Sequence, residues 1–239
     1  MNPTTASAKV LALHIGRALH IESTSTGEWW DKPWDTGFYK QPQTGPCWLG
    51  YEGFRSDEQA DRRYHGGSEK AVCVYPAEHY PYWREALEYP DLPHGAFGEN
   101  LTIEGLPETE ICIGDRFSLG EAVVQVSQPR QPCWKLARRW QVKDLPLQVE
   151  RTGFTGYYFR VLHHGHVRPG DTLELTQRPF FEWTIARCNE VMHHGKGGPG
   201  AARALAECPL LSSSWKDGLW MRAEKMAAGS PGKRREQPG

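Results

Sequence analysis

Residues 114–136 read G-D-R-F-S-L-G-E-A-V-V-Q-V-S-Q-P-R-Q-P-C-W-K-L, and the fold turns on how they are parsed. Alternating apolar residues lie on both sides of Gly120, a period-two pattern broken by a turn residue. That pattern predicts a β-hairpin turning at Gly120. After Val126 the period is lost. C-W-K-L-A-R-R-W then sets Leu136 and Trp140 four apart, on one face of a short helix. Pro132 suits the first turn of that helix, where a missing N–H does no harm. A strand pair therefore delivers a cysteine to a helix start.

Outward from the hairpin, the same grammar repeats. K-V-L-A-L-H-I-G opens the chain as an apolar strand, and A-V-C-V-Y, residues 71–75, is another. Pro76 is placed to start a short helix over A-E-H-Y-P-Y-W-R-E-A-L-E. F-G-E-N-L-T-I reads as extended, and D-L-P-L-Q-V-E-R-T-G as a short capped helix. G-Y-Y-F-R-V-L and T-L-E-L predict a second hairpin, turning through H-H-G-H-V-R-P-G-D. Between Glu22 and Pro46 neither period holds, and the aromatic stretch G-E-W-W-D-K-P-W-D-T-G-F-Y-K-Q-P predicts a long ordered loop. Wrapping the barrel wall is the expected role of its aromatics; a substrate lid is the alternative.

Many short strands with brief helices point to a mainly β fold with α, a β-barrel core over residues 1–180. From Trp183 the period becomes helical. I-A-R-C-N-E-V-M, A-A-R-A-L-A-E and S-S-W-K-D-G-L-W-M-R-A-E-K-M predict a small three-helix module over 181–228, with Ser212 or Ser213 capping the last helix. Residues 229–239 carry no core-forming side chains and predict a disordered tail.

The bulk numbers exclude some classes of function. Lys and Arg number 28 against 29 Asp and Glu, a net charge of −1, so nothing draws the whole chain to nucleic acid or anionic membrane. The start lacks a cationic segment followed by a long apolar one, and no apolar run is of bilayer length; a cytoplasmic protein is expected. Six cysteines (47, 73, 112, 133, 188 and 208) show no C-x-x-C or zinc spacing and are expected to be free thiols. No P-loop or G-x-S-x-G is present.

Chemistry then concentrates around Cys133. At a helix N-terminus its sulfur meets unpaired N–H groups, and Arg130 and Lys135 add positive potential. Both lower a thiol pKa toward the nucleophilic, metal-binding thiolate. The same spacing also suits a small buried hydrophobe beside basic residues. Cys73, Cys112, Cys188 and Cys208 sit in strand or helix patterns that read as core packing, and Cys47 stays open. In R-R-Y-H-G-G, Gly66 and Gly67 allow close backbone approach, His65 can donate to an oxyanion, and Arg63 or Lys70 can neutralise phosphate. In F-G-E-N-L, Gly98 permits close approach and Asn100 offers a donor and an acceptor to a heterocycle edge. Glu99 is either a general acid or a solvated strand-end charge, the second being favoured. H-H-G-H at 163–166 reads as a hairpin turn rather than a metal site, for want of a fourth ligand.

Three segments in order, H-G-G-S-E-K-A-V-C-V-Y-P-A-E-H-Y, then A-F-G-E-N-L-T-I-E-G-L with I-G-D-R-F, then V-Q-V-S-Q-P-R-Q-P-C-W-K-L, resemble the MOSC domain family and its bacterial YiiM type. The likeness covers residues 8–180, and L-S-S-S-W resembles that type's C-terminal three-helix module. It implies a MOSC-type β-barrel and a molybdenum cofactor (Mo-molybdopterin), with Cys133 as catalytic residue and metal ligand. Arg63, Arg130 and Lys135 would face its phosphate; Asn100, Ser127 and the backbone at Gly66, Gly67 and Gly98 its ring edges. It also implies reduction of N-hydroxylated compounds such as 6-hydroxylaminopurine by oxygen-atom removal. The electrons would come from a separate flavoprotein or iron–sulfur reductase, since the chain has no redox-centre signature of its own. A cofactor or persulfide carrier without turnover is the alternative. Pyridoxal phosphate binding is associated with the family only at large. Neither nucleic acid nor membrane is an expected partner, and either a monomer or a homodimer is expected. Where the resemblance implies Gly-Asp, this chain has Ser56–Asp57.

Overall fold

The computed structural model describes residues 6–228, so the expected disordered tail at 229–239 lies outside the described residues. The opening strand β1 (Ser7–Ile15) is followed by short strands β2 (Leu19–Ile21), β3 (Trp34–Thr36), β4 (Gln41–Gln43), β5 (Cys47–Gly50) and β6 (Gly53–Phe54). Then come β7 (Val72–Pro76), α1 (Tyr80–Ala86), β8 (Leu101–Glu104), β9 (Arg116–Leu119) and β10 (Ala122–Pro129). Helices α2 (Trp134–Trp140) and α3 (Leu145–Thr152) lead to β11 (Tyr157–His163), β12 (Gly165–Val167) and β13 (Thr172–Gln177). Three helices end the described residues: α4 (Ile185–His194), α5 (Gly198–Ala206) and α6 (Ser213–Ala228).

Seven strands close a barrel in the order β13-β9-β10-β11-β7-β8-β1, with β1 returning to β13 through Ser7↔Glu174, Ala8↔Leu173 and Lys9↔Thr172. Closure removes the free edges that an open sheet would expose. Among the described residues only β7 and β8 run parallel, joined by the crossover that contains α1, as a parallel pair requires. β4 adds to the outside of β1. The β9–β10 hairpin forms as its alternation predicts: Phe117, Leu119, Val124 and Val126 are buried, and Phe117 pairs with Val124 and Leu119 with Ala122 across Gly120, which adopts φ 54°. A Cβ there would lie 2.5 Å from the His166 carbonyl oxygen.

One apolar core runs from the barrel interior into the helical module. Leu13, Val74, Leu101, Phe117 and Phe159 connect through Trp183, Ile185 and Cys188 to Leu205, Trp215, Leu219 and Ala223. A second core, under α1, α2 and α3, gathers Tyr75, Tyr80, Trp83, Phe97, Leu136, Leu145 and Val149, with Tyr75 stacked on Phe97 at 4.4 Å. Ser212 caps α6, its hydroxyl accepting from the Trp215 N–H at 3.4 Å. Among the described residues no helix is long and apolar enough to cross a membrane.

Several expectations need correction. The 22–46 stretch is not a plain loop, because β3 pairs with β2 and β4 with β1. β11 and β13 do not form a hairpin. β11 pairs with β10 and β7, and β13 with β9 and β1. The H-H-G-H run between them crosses over as β12 onto β5, with His164 packed on Trp48 and Tyr51. Pro76 ends β7 and is also the N-cap of the 3-10 turn Ala77–His79 that runs into α1, so the helical segment begins there as expected, with Pro81 in the first turn of α1. Pro132 lies outside α2, whose N-cap is Cys133. Asp144 stands at the N-cap of α3, but its carboxylate accepts no capping hydrogen bond from a backbone N–H, whereas Gly153 closes that helix in the left-handed region.

Candidate functional site

The end of β10 and the start of α2 bring Arg130, Cys133 and Lys135 to one side of the barrel mouth. Cys133 has extended backbone (φ −115°, ψ 163°), and its carbonyl accepts from Leu136 N–H at 3.1 Å, so the thiol stands where the chain turns into the helix. Leu136, buried under α2, fixes that turn against the second core. A small pocket of about 80 Å³ opens here. Its walls come from β3 and the residues after it (Thr36, Phe38, Lys40), the 57–60 turn, His65, Gly66, Lys70, Cys73, Gly98, Asn100 and Tyr158, together with Arg130, Cys133 and Lys135. The pocket gives onto a wider groove of about 1070 Å³, which shares His65, Lys70, Cys133 and Lys135 with it. The outer walls of the groove include Trp34, Arg63, Tyr64 and Trp134, and Asp217 and Met221 of α6.

The charges at the pocket are arranged unevenly. Arg130 is 6 % exposed and Lys135 8 %. Among the described residues neither side chain makes an ion pair or a hydrogen bond. The nearby carboxylates are already taken. Asp57 is paired with Lys40 and also accepts from Gly16 N–H, Gln59 and Asn100. Glu99 is fully buried and accepts from the Tyr80 hydroxyl, Gly95 N–H (2.7 Å), Phe97 N–H (3.1 Å) and Thr102 (2.8 Å). A buried cation without a partner costs free energy unless an anion reaches it. The pocket is thus built for an anionic ligand although the chain is nearly neutral.

His65 feels the same field. Burial, reinforced by the charges of Arg130, Lys135 and Lys70, pushes its pKa down to about 4, so the imidazole is neutral at pH 7. Cys73 also faces the pocket, and burial pushes its thiol up, which keeps it protonated.

The fold is matched by known proteins. Residues 61–174 match the MOSC domain and residues 183–219 the YiiM-like, 3-alpha helix domain. The chain is 45 % identical over 217 residues to YflK of Bacillus subtilis (strain 168), covering 91 % of this chain and 95 % of that one. It belongs to the MOSC family, in its YiiM type. The crystal structure of YiiM from Geobacillus stearothermophilus superposes with a TM-score of 0.74 at 35 % identity, covering 90 % of this chain and 99 % of that one. A protein named reductase from Gibberella moniliformis is 38 % identical over 216 residues, which are 87 % of this chain and 36 % of the fungal one.

Within this YiiM-type site the residues singled out from sequence divide into two groups. Cys133, Arg130, Lys135, His65, Gly66 and Gly98 line the inner pocket, and Arg63 lies on the outer groove, stacked over Tyr64 at 4.5 Å. Asn100 touches the pocket, but its side chain is spent: Oδ1 accepts from Cys73 N–H at 3.0 Å, and Nδ2 donates to the His14 carbonyl (3.2 Å) and Asp57 (3.0 Å). It holds walls together instead of reading a ring edge. Ser127 is buried off the pocket, donating to the Glu69 and Tyr158 carbonyls at 2.6 and 3.0 Å. Gly67 does not line the pocket; it caps the 3-10 turn Ser68–Lys70 at φ 79°. Glu99 is no solvated strand-end charge but a buried acceptor.

Sequence reasoning missed Lys40, Asp57 and the facing thiol of Cys73. Lys40 and Asp57 are 17 residues apart and meet only through the fold. Cys73 was hidden because all five residues of β7 are buried, so alternation does not tell its pocket face from its core face. The departure at Ser56 is resolved by backbone geometry. Ser56 adopts φ 69°, the left-handed region that favours glycine, and still delivers Asp57 to Lys40.

Proposed function

We propose that this pocket binds a molybdopterin-type cofactor and that the protein is an oxidoreductase acting on N-hydroxylated compounds. The observation that carries the reading is the meeting of two unpartnered buried cations, Arg130 and Lys135, with the Cys133 thiol in one pocket. A phosphate-bearing pterin with a soft metal matches that donor set: guanidinium and ammonium for phosphate, sulfur for molybdenum. Arg130, Lys135 and Lys70 would hold the anionic end, with backbone at Gly66 and Gly98 beside it and Cys133 as metal ligand. Such a cofactor supplies two-electron oxygen-atom transfer, with electrons from a separate reductase. MOSC membership and the name of the fungal relative support the redox class.

The chain's own residues then have definable tasks. Neutral His65 offers an unprotonated ring nitrogen that can accept a hydrogen bond from an N–OH group at the junction of pocket and groove. Trp34 and Trp134, 5.6 Å apart, give the groove an apolar wall that displaces water and suits a flat heteroaromatic substrate.

The test is elemental analysis for molybdenum together with fluorescence of released pterin, on protein from a cofactor-competent host, with Cys133→Ser as control. Near-stoichiometric metal and pterin in the parent, lost in Cys133→Ser, are expected. Turnover of 6-hydroxylaminopurine with an artificial reductant should follow. Loaded protein that turns over no N-hydroxy compound would overturn the enzymatic reading in favour of a carrier.

A further inference from the structure

The start of α6 is joined to the site by more than apolar packing. Glu69, in the 3-10 turn after Gly66 and Gly67, accepts from Ser213 N–H at 3.0 Å and from the Ser213 hydroxyl at 2.6 Å, and pairs with Arg160 at 3.3 Å. One residue earlier, Ser212 N–H donates to the Ser127 carbonyl at 3.0 Å. The Ser212 and Ser214 hydroxyls both donate to Gln128 Oε1, at 2.8 and 3.2 Å. Every one of these bonds ends on a segment that carries pocket residues: the turn between His65 and Cys73, or the β10 end that leads to Arg130 and Cys133. From there α6 runs along the groove and lends it Ser214, Asp217, Gly218 and Met221.

We infer that the three-helix module is a positioning element of the site, with Glu69 and the first turn of α6 clamping the His65–Lys70 segment against the strand that carries Arg130 and Cys133. A module that only covered the end of the barrel would be served by Trp215, Leu219 and Ala223, which already join the main core. The Glu69–Ser213 bonds are partly exposed, and exposed polar contacts add little to stability. What they do is fix geometry. The carboxylate sits at the N-terminal end of a 16-residue helix, where free N–H groups favour a negative charge, so the clamp has a definite direction and length.

Ser213→Pro tests the clamp at small cost to the helix. Position 213 is the first helical residue, where proline is tolerated, and an N-cap residue before it has the extended backbone that proline demands. The change removes both bonds from Ser213 to Glu69. Ser213→Ala removes only the hydroxyl bond and should fall between. In the full-length, cofactor-free protein, deuterium uptake over residues 64–73 should quicken about fivefold, the worth of one net hydrogen bond. The rate of Cys133 alkylation by iodoacetamide, read on its own peptide, should change by about threefold or more. In loaded protein, KM for 6-hydroxylaminopurine should rise by about the same factor with kcat held within about twofold.

The kinetic arm rests on the proposed function; the exchange and alkylation arms do not. If the parent turns over nothing, that function fails alone, and the other two arms still judge the clamp. Unchanged uptake over 64–73 in Ser213→Pro overturns the clamp. Faster uptake with an unchanged Cys133 alkylation rate overturns its role in positioning the site.

Discussion

Replacing Arg130 by methionine should stabilise the cofactor-free protein, against the usual expectation for a buried residue. The guanidinium is 6 % exposed, with no acceptor for its side chain among the described residues; Asp57 belongs to Lys40, and Glu99 is filled by four donors. Holding such a charge out of water costs several kcal/mol. The Phe38 ring, 6.0 Å from the guanidinium carbon, returns about 1–2 kcal/mol. Methionine keeps most of the apolar stem, and the backbone bond from Arg130 N–H to the Gly156 carbonyl (3.0 Å) is untouched. The balance leaves a net gain of about 1–3 kcal/mol, or a Tm higher by roughly 2–10 °C for a chain of this size. The assay is thermal unfolding of cofactor-free parent and Arg130→Met, each with and without millimolar pyrophosphate. Pyrophosphate should raise the Tm of the parent and do little for the variant, and the variant should carry little molybdenum from a competent host. A folded Arg130→Met that melts more than about 2 °C below the parent without ligand would refute the reasoning, since the charge must then have a partner in the empty protein.

Acid should act through His65 and His193, both pushed down to about 4, His65 by burial and nearby cations and His193 by burial with His194 and Arg222. Because the folded pKa lies below the unfolded value, the unfolded chain takes up protons first. Stability is then full above about pH 6.5 and falls between 6.5 and 4, by about 2–3 kcal/mol for each histidine. His65→Asn should flatten its share of that slope in denaturant titrations at stepped pH, and an unchanged slope would exclude it. Asn100→Ala, which strips the Cys73 N–H of its acceptor and loosens Asp57, should cost about 2–4 kcal/mol by denaturant unfolding. Of the two pocket thiols, only Cys133→Ser should lose metal; Cys73→Ser should keep it, and equal loss in both would assign the sulfur ligand wrongly.

What was readable in the sequence was whatever local periodicity controls. The β9–β10 hairpin, the helical end and the placing of Cys133 at a helix start follow from alternation, glycine and the four-residue spacing of Leu136 and Trp140. The pairing of β11 and β13 was misread because H-H-G-H-V-R-P-G-D looks like a turn in isolation. Barrel closure decides otherwise, by offering β13 to β1 and β9. Asn100 and Ser127 look like ligand groups in a motif, but a buried polar group takes the nearest partner, and both found backbone first. Lys40 and Asp57 show the reverse case: nothing local marks them, and only the crossing of two loops brings them to the pocket wall.

These features combine into one energetic argument. A near-neutral chain that confines Arg130 and Lys135 without acidic partners holds an electrostatic cost in its empty state. A bound anion removes that cost, so ligand affinity and folding stability draw on the same free energy. At a ligand concentration about a hundred times Kd the gain is about 2.7 kcal/mol, similar in size to what Arg130→Met should yield in the empty protein. The two forms should therefore exchange rank: the variant melts higher empty, the parent higher when filled. Neighbouring residues explain why acids have not been recruited to cancel the cost internally. A carboxylate placed beside Arg130 would compete with the ligand for the same donors, as Asp57 already does for Lys40. Introducing Gly98→Asp at the pocket wall should accordingly weaken pyrophosphate binding more than it changes the fold of the barrel. The substitution would meet the Phe38 ring at 3.0 Å with φ 76°, so local strain accompanies it. Calorimetric titration of pyrophosphate, set beside the circular dichroism of the same variant, separates the two effects; binding of unchanged strength in a folded variant would show that the pocket's anion preference does not come from its unpaired cations.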